Sequence, residues 1–367
     1  MQEELLYQLA LTLVPQIGDV QAKILVQHLG SASAIFKASL HSLEAVEGIG
    51  TIRAKAIKSF RDFDTAETEL AFIEKHNITP LFLTDAAYPK RLLHCYDAPT
   101  LLFYKGTADL NAAKIVAIVG TRTNTDYGKA FTEKLVQDLA AQNILIVSGL
   151  AYGIDAFAHK AALKNGLPTV GVVGHGLDKI YPHAHTNLAK EMIQAGGGLL
   201  TEFFSGTKPD KHNFPLRNRV VAGLADATVV VETLVSGGSM ITAKLADAYN
   251  RDVFAVPGRT VDARSAGCNY LIQHNKAILL TEASQLLDVM GWVESKKAKP
   301  KTQRTLFIEL TEDEKKIVVL LQQKEAVHLD EININSGLSS SAAAAAILNL
   351  ELQNIVASLP GKMLKLL

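Results

Sequence analysis

The stretch KIVAIVGTRTNTDYGKAFTEKLVQDLAAQ, residues 114–142, indicates most directly how this chain folds. An apolar run rich in β-branched residues, Ile115 to Val119, ends at Gly120 and leads into a polar loop and a helical pattern. A strand, a loop and a helix in this order point backbone N–H groups at a helix N-terminus, where an anion can bind. The stretch therefore predicts a phosphate-binding turn at the carboxyl end of a parallel strand.

The loop after Gly120 carries neither common nucleotide signature. A dinucleotide-binding G-x-G-x-x-G would need glycine at 122 and 125, where the chain has Arg122 and Thr125, and no GK[ST] ending of a Walker A loop follows. Thr121 and Arg122 take the place of those glycines. The planar guanidinium of Arg122 can grip two phosphate oxygens, although a plain surface arginine in a turn is the alternative.

Short apolar runs alternate with helical patterns over residues 80–290. The runs are LFL (81–83), IVAIV (115–119), ILIVSG (144–149), TVGVVG (169–174), GLLTE (198–202), ATVVVE (227–232), DVFAVPG (252–258) and AILL (277–280). Such runs predict an α/β fold, an extended Rossmann-like core with a parallel sheet covered by helices on both faces. Ligands of such sheets bind beyond the carboxyl ends of the strands.

Composition narrows the classes of function. The net charge of the 367 residues is zero, so any nucleic-acid role must come from local basic patches. The two cysteines, Cys95 and Cys268, lie far apart and predict reduced thiols in a cytosolic, cytoplasmic protein. The start of the sequence lacks a basic signal-peptide region, and no apolar run approaches the roughly 18 residues of a membrane span.

The two flanks of the α/β region predict helical domains, which gives four segments: 1–78, 79–290, a basic linker at 291–308, and 309–367. The first segment contains two similar stretches, 15–30 and 46–60, and the second of these has the turn Val46-x-Gly48-Ile49-Gly50. It resembles a helix-hairpin-helix, or SAM-like, module, although the glycines could serve only to make tight turns.

The last segment predicts a winged helix, with three helices and a short hairpin. Thr311 and Glu314 form a capping box for its first helix. The recognition helix of such a fold would be Ser339 to Leu350, which contains no lysine or arginine. Sequence reading in a major groove is therefore not expected, and protein contact or a minor DNA role is favoured.

The loop VSGLAYGIDAFAHKAA, residues 147–162, is a second candidate anion site. Its glycines would let backbone amides approach a ligand. The candidate ligand contacts are Ser148, Gly149 and Gly153. Asp155 and His159 lie four residues apart on one helical face, a pattern that more often orders a loop than performs acid–base catalysis.

The loop TEFFSGTKPDKHNFPLRNRVVAGLAD, residues 201–226, interleaves basic and aromatic side chains. Single-stranded nucleic acid needs this combination, because cations follow the phosphates and rings stack on bases. The candidate contacts are Lys208, Lys211, Phe214, Arg217, Asn218 and Arg219. For Phe203 and Phe204, packing into the core explains the pattern at least as well as stacking on bases.

A fourth loop, in VSGGSMITAKLADAYNRDVFAVPG (235–258), places small residues at a helix N-terminus, which gives an open anion cradle. Its candidate contacts are Ser236, Gly237, Gly238, Ser239 and Thr242. No hydrolase motif such as GxSxG or HExxH and no paired carboxylates accompany the four loops, and His183-x-His185 is too short a pattern for a metal site. The sequence predicts no catalytic residue, no metal and no cofactor.

Eight ordered blocks carry a resemblance to a known family. They are YPKRLLHCYDAPTLLFYKG (88–106), VAIVGTR (116–122), IVSGLAYGIDAFAH (146–159), GLDKIYP (176–182), NFPLRNRVVAGL (213–224), SGGSMITAKLA (236–246), RDVFAVPG (251–258) and NYLI (269–272). The chain resembles the bacterial DNA processing protein A family, also called DprA or Smf, strongly over about 80–290 and more loosely in the flanks.

The resemblance implies a core that binds single-stranded DNA without cutting it, a homodimer through that core, and loading of RecA onto incoming strands during natural transformation. Single-strand-binding protein is a further candidate partner. The glycine–serine–arginine block of the family reads Gly120-Thr121-Arg122 here, which keeps the arginine. Where relatives often have Tyr-Pro-Pro after a glutamate, this chain has Phe203-Phe204-Ser205 after Glu202, so the shape of the third loop is not given by the family pattern.

Two other functions compete with DNA binding. Related Rossmann-like phosphoribohydrolase-type enzymes cleave nucleoside monophosphates with a PGGxGTxxE block, but SGGSMITAKLAD here lacks the glutamate position. Alternatively, the core could be a scaffold for partner proteins, with only incidental DNA contacts. Such a scaffold would keep its partner function after charge reversal of Arg122 and Arg219.

Overall fold

The structure is a computed structural model that describes residues 2–292, 310–324, 326–353, 355–359 and 363–367. The chain divides into two compact units, Met1–Val293 and Glu294–Leu367. The basic linker predicted at 291–308 falls almost wholly on residues 293–309, which lie outside the described residues.

The larger unit begins with a helical module. Its helices are α1 (Gln2–Leu13), α2 (Asp19–Leu29), α3 (Ala32–Lys37), α4 (Leu40–Glu44), α5 (Gly50–Ser59) and α6 (Phe63–His76). The turn predicted at 46–50 joins α4 to α5. The helices enclose one apolar core, which continues onto Phe82 and Phe103 of the neighbouring sheet, so the module packs directly against that sheet.

The described part of the larger unit contains one sheet of nine strands. They are β1 (Thr79–Phe82), β2 (Leu101–Gly106), β3 (Ile115–Val119), β4 (Leu145–Ser148), β5 (Thr169–Val172), β6 (Gly198–Thr201), β7 (Ala227–Val230), β8 (Asp252–Ala255) and β9 (Ile278–Leu279). Their order across the sheet is β1-β2-β6-β5-β4-β3-β7-β8-β9. In this spatial order, all strands from β6 through β5, β4, β3, β7 and β8 to β9 are parallel to one another. This arrangement confirms the predicted Rossmann-like sheet.

Helices cover both faces of the sheet. They are α7 (Lys90–Leu93), α8 (Asp126–Leu139), α9 (Ile154–Lys164), α10 (Thr186–Gln194), α11 (Asn213–Leu224), α12 (Gly238–Ala248), α13 (Ala266–Gln273) and α14 (Ala283–Val289). Residues of β3 alternate between two cores: Ile115 and Val119 pack with α11 and α12, whereas Val116 and Ile118 pack with α8 and α9. This alternation explains why the strand reads as a continuous apolar run.

One end of the sheet departs from the predicted pattern. The run Leu101–Gly106 was not predicted as a strand, yet it forms β2, which pairs antiparallel with both β1 and β6. Tyr104 of β2 lies against Gly198 of β6, where a side chain would collide with its ring. The antiparallel end brings β1 and β2 under the helical module.

The smaller unit is a winged helix, as predicted. Its elements are α15 (Glu312–Gln322), β10 (Val327–His328), α16 (Leu329–Asn335), α17 (Ser340–Leu352), β11 (Val356–Leu359) and β12 (Met363–Leu366). The Thr311–Glu314 capping box is present, with Thr311 N donating to Glu314 Oε2 over 2.8 Å. No helix in the described ranges is long and apolar enough to cross a membrane.

Candidate nucleic-acid interface

A cleft of about 470 Å³ opens at the carboxyl ends of the parallel strands, and we name it the first cleft. Its walls come from the loops after β3, β4 and β7 and from the start of α11. Twelve of the seventeen predicted contact residues line it: Gly120, Thr121, Arg122, Gly149, Lys211, Phe214, Arg217, Asn218, Gly237, Gly238, Ser239 and Thr242. The four loops singled out in the sequence thus meet in one place.

The loop after β3 is fixed by its neighbours. Thr121 N donates to the carbonyl oxygen of Glu232 over 2.7 Å, and Ile154 N donates to the carbonyl oxygen of Thr121 over 3.3 Å. The buried carboxylate of Glu232 accepts hydrogen bonds from both the backbone N–H and the hydroxyl of Thr125, the N-cap of α8. Glu232 was not selected from the sequence. It directly follows an apolar strand and has no lysine or arginine close by in the sequence, and these two features could have marked it.

Arg122 and two aromatic rings form a layered platform beside the first cleft. The Arg122 guanidinium lies 5.2 Å from the centre of the Phe214 ring, and the Tyr181 ring stacks on the Phe214 ring at 6.0 Å with an interplanar angle of 26°. Tyr181 is 45% exposed. Arg122 is exposed and forms no ion pair with any described residue. Tyr181 was not predicted as a contact, although it lies in the quoted block GLDKIYP.

Arg217 is buried and its charge faces the protein interior. Its Nη1 donates to the carbonyl oxygens of Gly149 and Val172, at the ends of β4 and β5, and its Nε donates to Asn218 Oδ1 over 3.1 Å. A Cβ at Gly149 would meet this guanidinium. Burial lowers the pKa of Arg217 to about 10, while the Asp155 carboxylate acts in the opposite direction. This side chain holds two strand ends together at the floor of the first cleft.

Arg219 is also buried, at 8% exposure. Its guanidinium donates to the carbonyl oxygen of Asp97 and pairs with the carboxylates of Glu202 and Asp19, the latter over 2.8 Å. Burial lowers the pKa of Arg219, but the two carboxylates more than offset this effect and raise it above the usual value. Direct phosphate contact by Arg217 and Arg219 stays a prediction, and it would compete with the protein oxygens that engage Nη1 of Arg217 and both Nη atoms of Arg219.

Four of the remaining predicted contacts lie outside the first cleft. Ser148 is buried and donates to the carbonyl oxygen of Ile118 over 2.6 Å. Gly153 has φ of +77° and packs under the loop after β3. Lys208 and Ser236 are exposed beyond the walls of the first cleft.

Asp155 and His159 are both buried, and each bonds to a different part of the protein. The buried Asp155 carboxylate accepts from the backbone N–H groups of Gly149 and Ala151, at 3.2 and 3.3 Å, and so orders the loop after β4. His159 Nδ1 lies 2.7 Å from Thr169 Oγ1, and burial lowers the pKa of this imidazole to about 3. These hydrogen bonds are consistent with the structural role that the sequence favoured for the two groups.

The chemistry of the first cleft suits a polyanion with flat rings. Arg122 and Lys211 are exposed and unpaired within the described residues, while Asp155, the acid among the described lining residues, is buried and accepts from two backbone N–H groups. The N-terminus of α12 adds backbone N–H groups at one wall. No group of three or more potential metal ligands occurs among the described residues.

Family models match most of the sequence. The model described as DNA recombination-mediator protein A matches residues 79–291, the DprA winged helix domain matches 299–362, and the helix-hairpin-helix motif matches 6–69. These matches confirm the resemblance in the core and in both flanks.

Three relatives support the same assignment. Protein Smf of Synechocystis is 34% identical over 390 residues, covering 97% of each chain. The X-ray structure of DNA processing protein A from Streptococcus pneumoniae is 34% identical with a TM-score of 0.65, covering 77% of this chain and 95% of that one. A structure of DNA processing protein A from Helicobacter pylori, described for its unique single-stranded DNA binding mode, is 31% identical with a TM-score of 0.53. The match covers 58% of this chain and 95% of that one. With the sheet, the cleft and these matches in agreement, the chain belongs to the DNA recombination-mediator protein A family.

Proposed function

We propose that this chain is a non-catalytic protein that binds single-stranded DNA in the first cleft, protects incoming strands and loads RecA onto them during natural transformation or homologous recombination. The observation that carries the proposal is the platform of Arg122, Phe214 and Tyr181 beside the first cleft. An unpaired cation next to partly exposed rings matches the alternation of phosphate and base along a single strand.

The platform favours single strands over duplex for a physical reason. In a duplex the base faces are stacked on one another and offer no free surface to Phe214 or Tyr181. In a single strand each base has an exposed π-face, and stacking on an aromatic side chain is worth about 1–3 kcal/mol per base. The Helicobacter pylori relative, with its single-stranded DNA binding mode, supports the same class of ligand.

The proposal includes partners. A homodimer through the Rossmann-like core is supported by Ile278 and Leu279, which are exposed on the edge strand β9. RecA and single-strand-binding protein are proposed from family membership, and the cytoplasm, where these proteins and the DNA meet, is the proposed location. In the winged helix, α17 has no basic residue, which favours a protein partner over sequence-specific DNA for this unit.

The first experiment is binding of a fluorescent oligo-dT measured by anisotropy at two salt concentrations, for wild type and Arg122→Gln. We expect the variant to bind about tenfold more weakly, because a charge-assisted contact to phosphate is lost. Wild-type affinity should fall by about 0.7 log units per neutralised phosphate for each log unit of salt. The variant should show a smaller slope.

The matched control is Lys164→Gln, which also removes an exposed charge, at the far end of α9. This control should bind like wild type, and circular dichroism should show all three proteins folded. Equal binding by wild type and Arg122→Gln would contradict the placement of DNA in the first cleft, and a screen for turnover of nucleoside monophosphates would then be the next step.

A further inference from the structure

A second and larger cleft, about 1070 Å³, opens beside the same strand ends, and we name it the second cleft. Its walls are the loop after β3, the start of α8 and the loop after β8. It shares Thr121 and Leu234 with the first cleft. The two clefts therefore adjoin at these two side chains, neither of which is charged.

The second cleft is lined by unpaired cations. Arg259 and Arg264 are both exposed, and among the described residues neither guanidinium forms an ion pair or a hydrogen bond. Two acids also line it. The Glu232 carboxylate is buried and accepts from Thr125, so Asp262 is the one exposed acid among the described lining residues. The two arginines outnumber it, so the open wall carries a positive charge.

The second cleft also presents a fixed aromatic ring. Tyr127 is 50% exposed, and its hydroxyl donates to the carbonyl oxygen of Pro257 over 3.1 Å, so the ring is held from α8 towards the loop after β8. A ring fixed at both ends loses little conformational entropy when a flat ligand stacks on it. Val261, 86% exposed, adds apolar surface at the rim.

We propose that the second cleft holds a further segment of the same DNA strand that occupies the first cleft. The inference rests on the proposed function and extends it to Tyr127, Arg259 and Arg264. The arginines would contact phosphates, and a base would stack on Tyr127. The strand would cross between the clefts over Thr121 and Leu234, where no charge obstructs its backbone.

The test compares oligo-dT of increasing length, from about 4 to about 24 nucleotides, which brackets the usual site sizes of about 4–16 nucleotides for one groove. The proteins are wild type, the double variant Arg259→Gln with Arg264→Gln, and a control with Lys164→Gln and Lys190→Gln. The control removes two exposed charges from outside both clefts. All of these side chains are exposed, so folding should be unaffected.

The double variant should match wild type on the shortest oligonucleotides that bind and lose about tenfold in affinity on long ones. The control should match wild type at every length. Equal affinities of the double variant and wild type at all lengths would overturn the inference while leaving the proposed function intact. An equal loss of affinity at every length would also overturn the inference. The cause would then be the general electrostatic attraction of the two arginines and not a second segment of bound DNA. If wild type binds no length, both proposals fail.

A fluorophore at Val261→Cys gives an independent readout. The two natural thiols, Cys95 and Cys268, are buried, so the label should attach at position 261. We expect its emission to change with long oligonucleotides and not with the shortest ones that bind, and to be indifferent to saturating ATP. A response to short and long strands alike, or to ATP alone, would contradict a strand segment in the second cleft.

Discussion

Arg122, Arg217 and Arg219 carry the same side chain and differ only in what surrounds it. Arg217 and Arg219 donate to oxygens of the protein, so their charges stabilise strand ends and loops. Arg122 lies over the Phe214 ring with its polar edge exposed. A guanidinium that no oxygen of the described residues engages can bind a phosphate without first breaking a contact, so the loss of Arg122 should matter most for binding.

His159 should make the stability of the fold depend on pH. Its pKa is lowered by burial to about 3, against an ordinary value of about 6.5, so the unfolded chain takes up a proton that the folded chain refuses. The stabilisation is complete above pH 6.5 and is lost as the pH falls towards 3. The difference in unfolding free energy between wild type and His159→Gln should therefore shrink by about 2 kcal/mol between pH 7 and pH 5.

Urea denaturation at the two pH values measures this difference directly. A difference that stays constant between pH 7 and pH 5 would contradict the buried, neutral imidazole.

Individual side chains were only partly predictable. Arg122 could be chosen from the sequence because it follows a strand, and Phe214 because it lies among basic residues. The structure brings both side chains to the first cleft. The burial of Arg217 and Arg219 could not, since the oxygens that engage them come from Gly149, Val172, Asp97, Glu202 and Asp19, which are distant in sequence.

At the level of strands and loops, the close approach of two turns shapes the first cleft. Gly153, at the start of α9, has φ of +77°, and a side chain there would collide with the carbonyl oxygen of Thr121. The loop that presents Arg122 therefore rests on a glycine from the neighbouring connection.

The pair of variants Gly153→Ala and Gly166→Ala tests this contact. Both glycines have positive φ, but Gly166 has open space around it. We expect Gly166→Ala to cost about 1–2 kcal/mol of stability from backbone strain alone and to bind oligo-dT normally. Gly153→Ala should cost more and bind about tenfold more weakly, because the loop must move and misplace Arg122.

Urea denaturation and fluorescence anisotropy on both variants provide the comparison. Unchanged DNA binding in Gly153→Ala would show that the position of this loop does not matter for the strand.

Long β-branched runs such as Ile115–Val119 identified most strands from sequence, because burial on both faces leaves no polar residues in them. The strand Leu101–Gly106 was missed because it lies outside the alternating βα pattern and pairs antiparallel. Its partners are set by contacts to the helical module, which local periodicity does not report.

Over the larger unit, Arg219 connects parts of the chain that are far apart in sequence. It joins Asp19 of α2 to Glu202, which follows β6. Arg219→Met should lower the unfolding free energy by about 3–5 kcal/mol, because two carboxylates lose their buried partner. The exposed control Lys55→Met should cost less than about 0.5 kcal/mol.

Below its unfolding transition, Arg219→Met should still bind oligo-dT nearly as well as wild type, since Arg219 does not line the first cleft. If Arg219→Met leaves stability unchanged and greatly weakens DNA binding, that result would instead support a direct contact between Arg219 and a phosphate.

Association of whole chains should depend on the edge strand β9. Lysine at both Ile278 and Leu279 should weaken the proposed homodimer at least about tenfold, because unpaired ammonium groups would be buried in its interface. Val319→Lys, at an exposed apolar position of the winged helix, is the control. Sedimentation velocity over a range of concentrations measures the effect. A dimer that is indifferent to both lysines would place the interface elsewhere.

The rigid walls and separate cations of the first cleft have a kinetic consequence. Backbone hydrogen bonds fix the loops before any strand arrives, whereas Arg122 and Lys211 reach outward independently of each other. A strand held at several separate points can be released at one of them while the others remain in contact. A second protein can then occupy the freed nucleotides before they rebind, so the exchange rate of the strand should rise with the concentration of that protein.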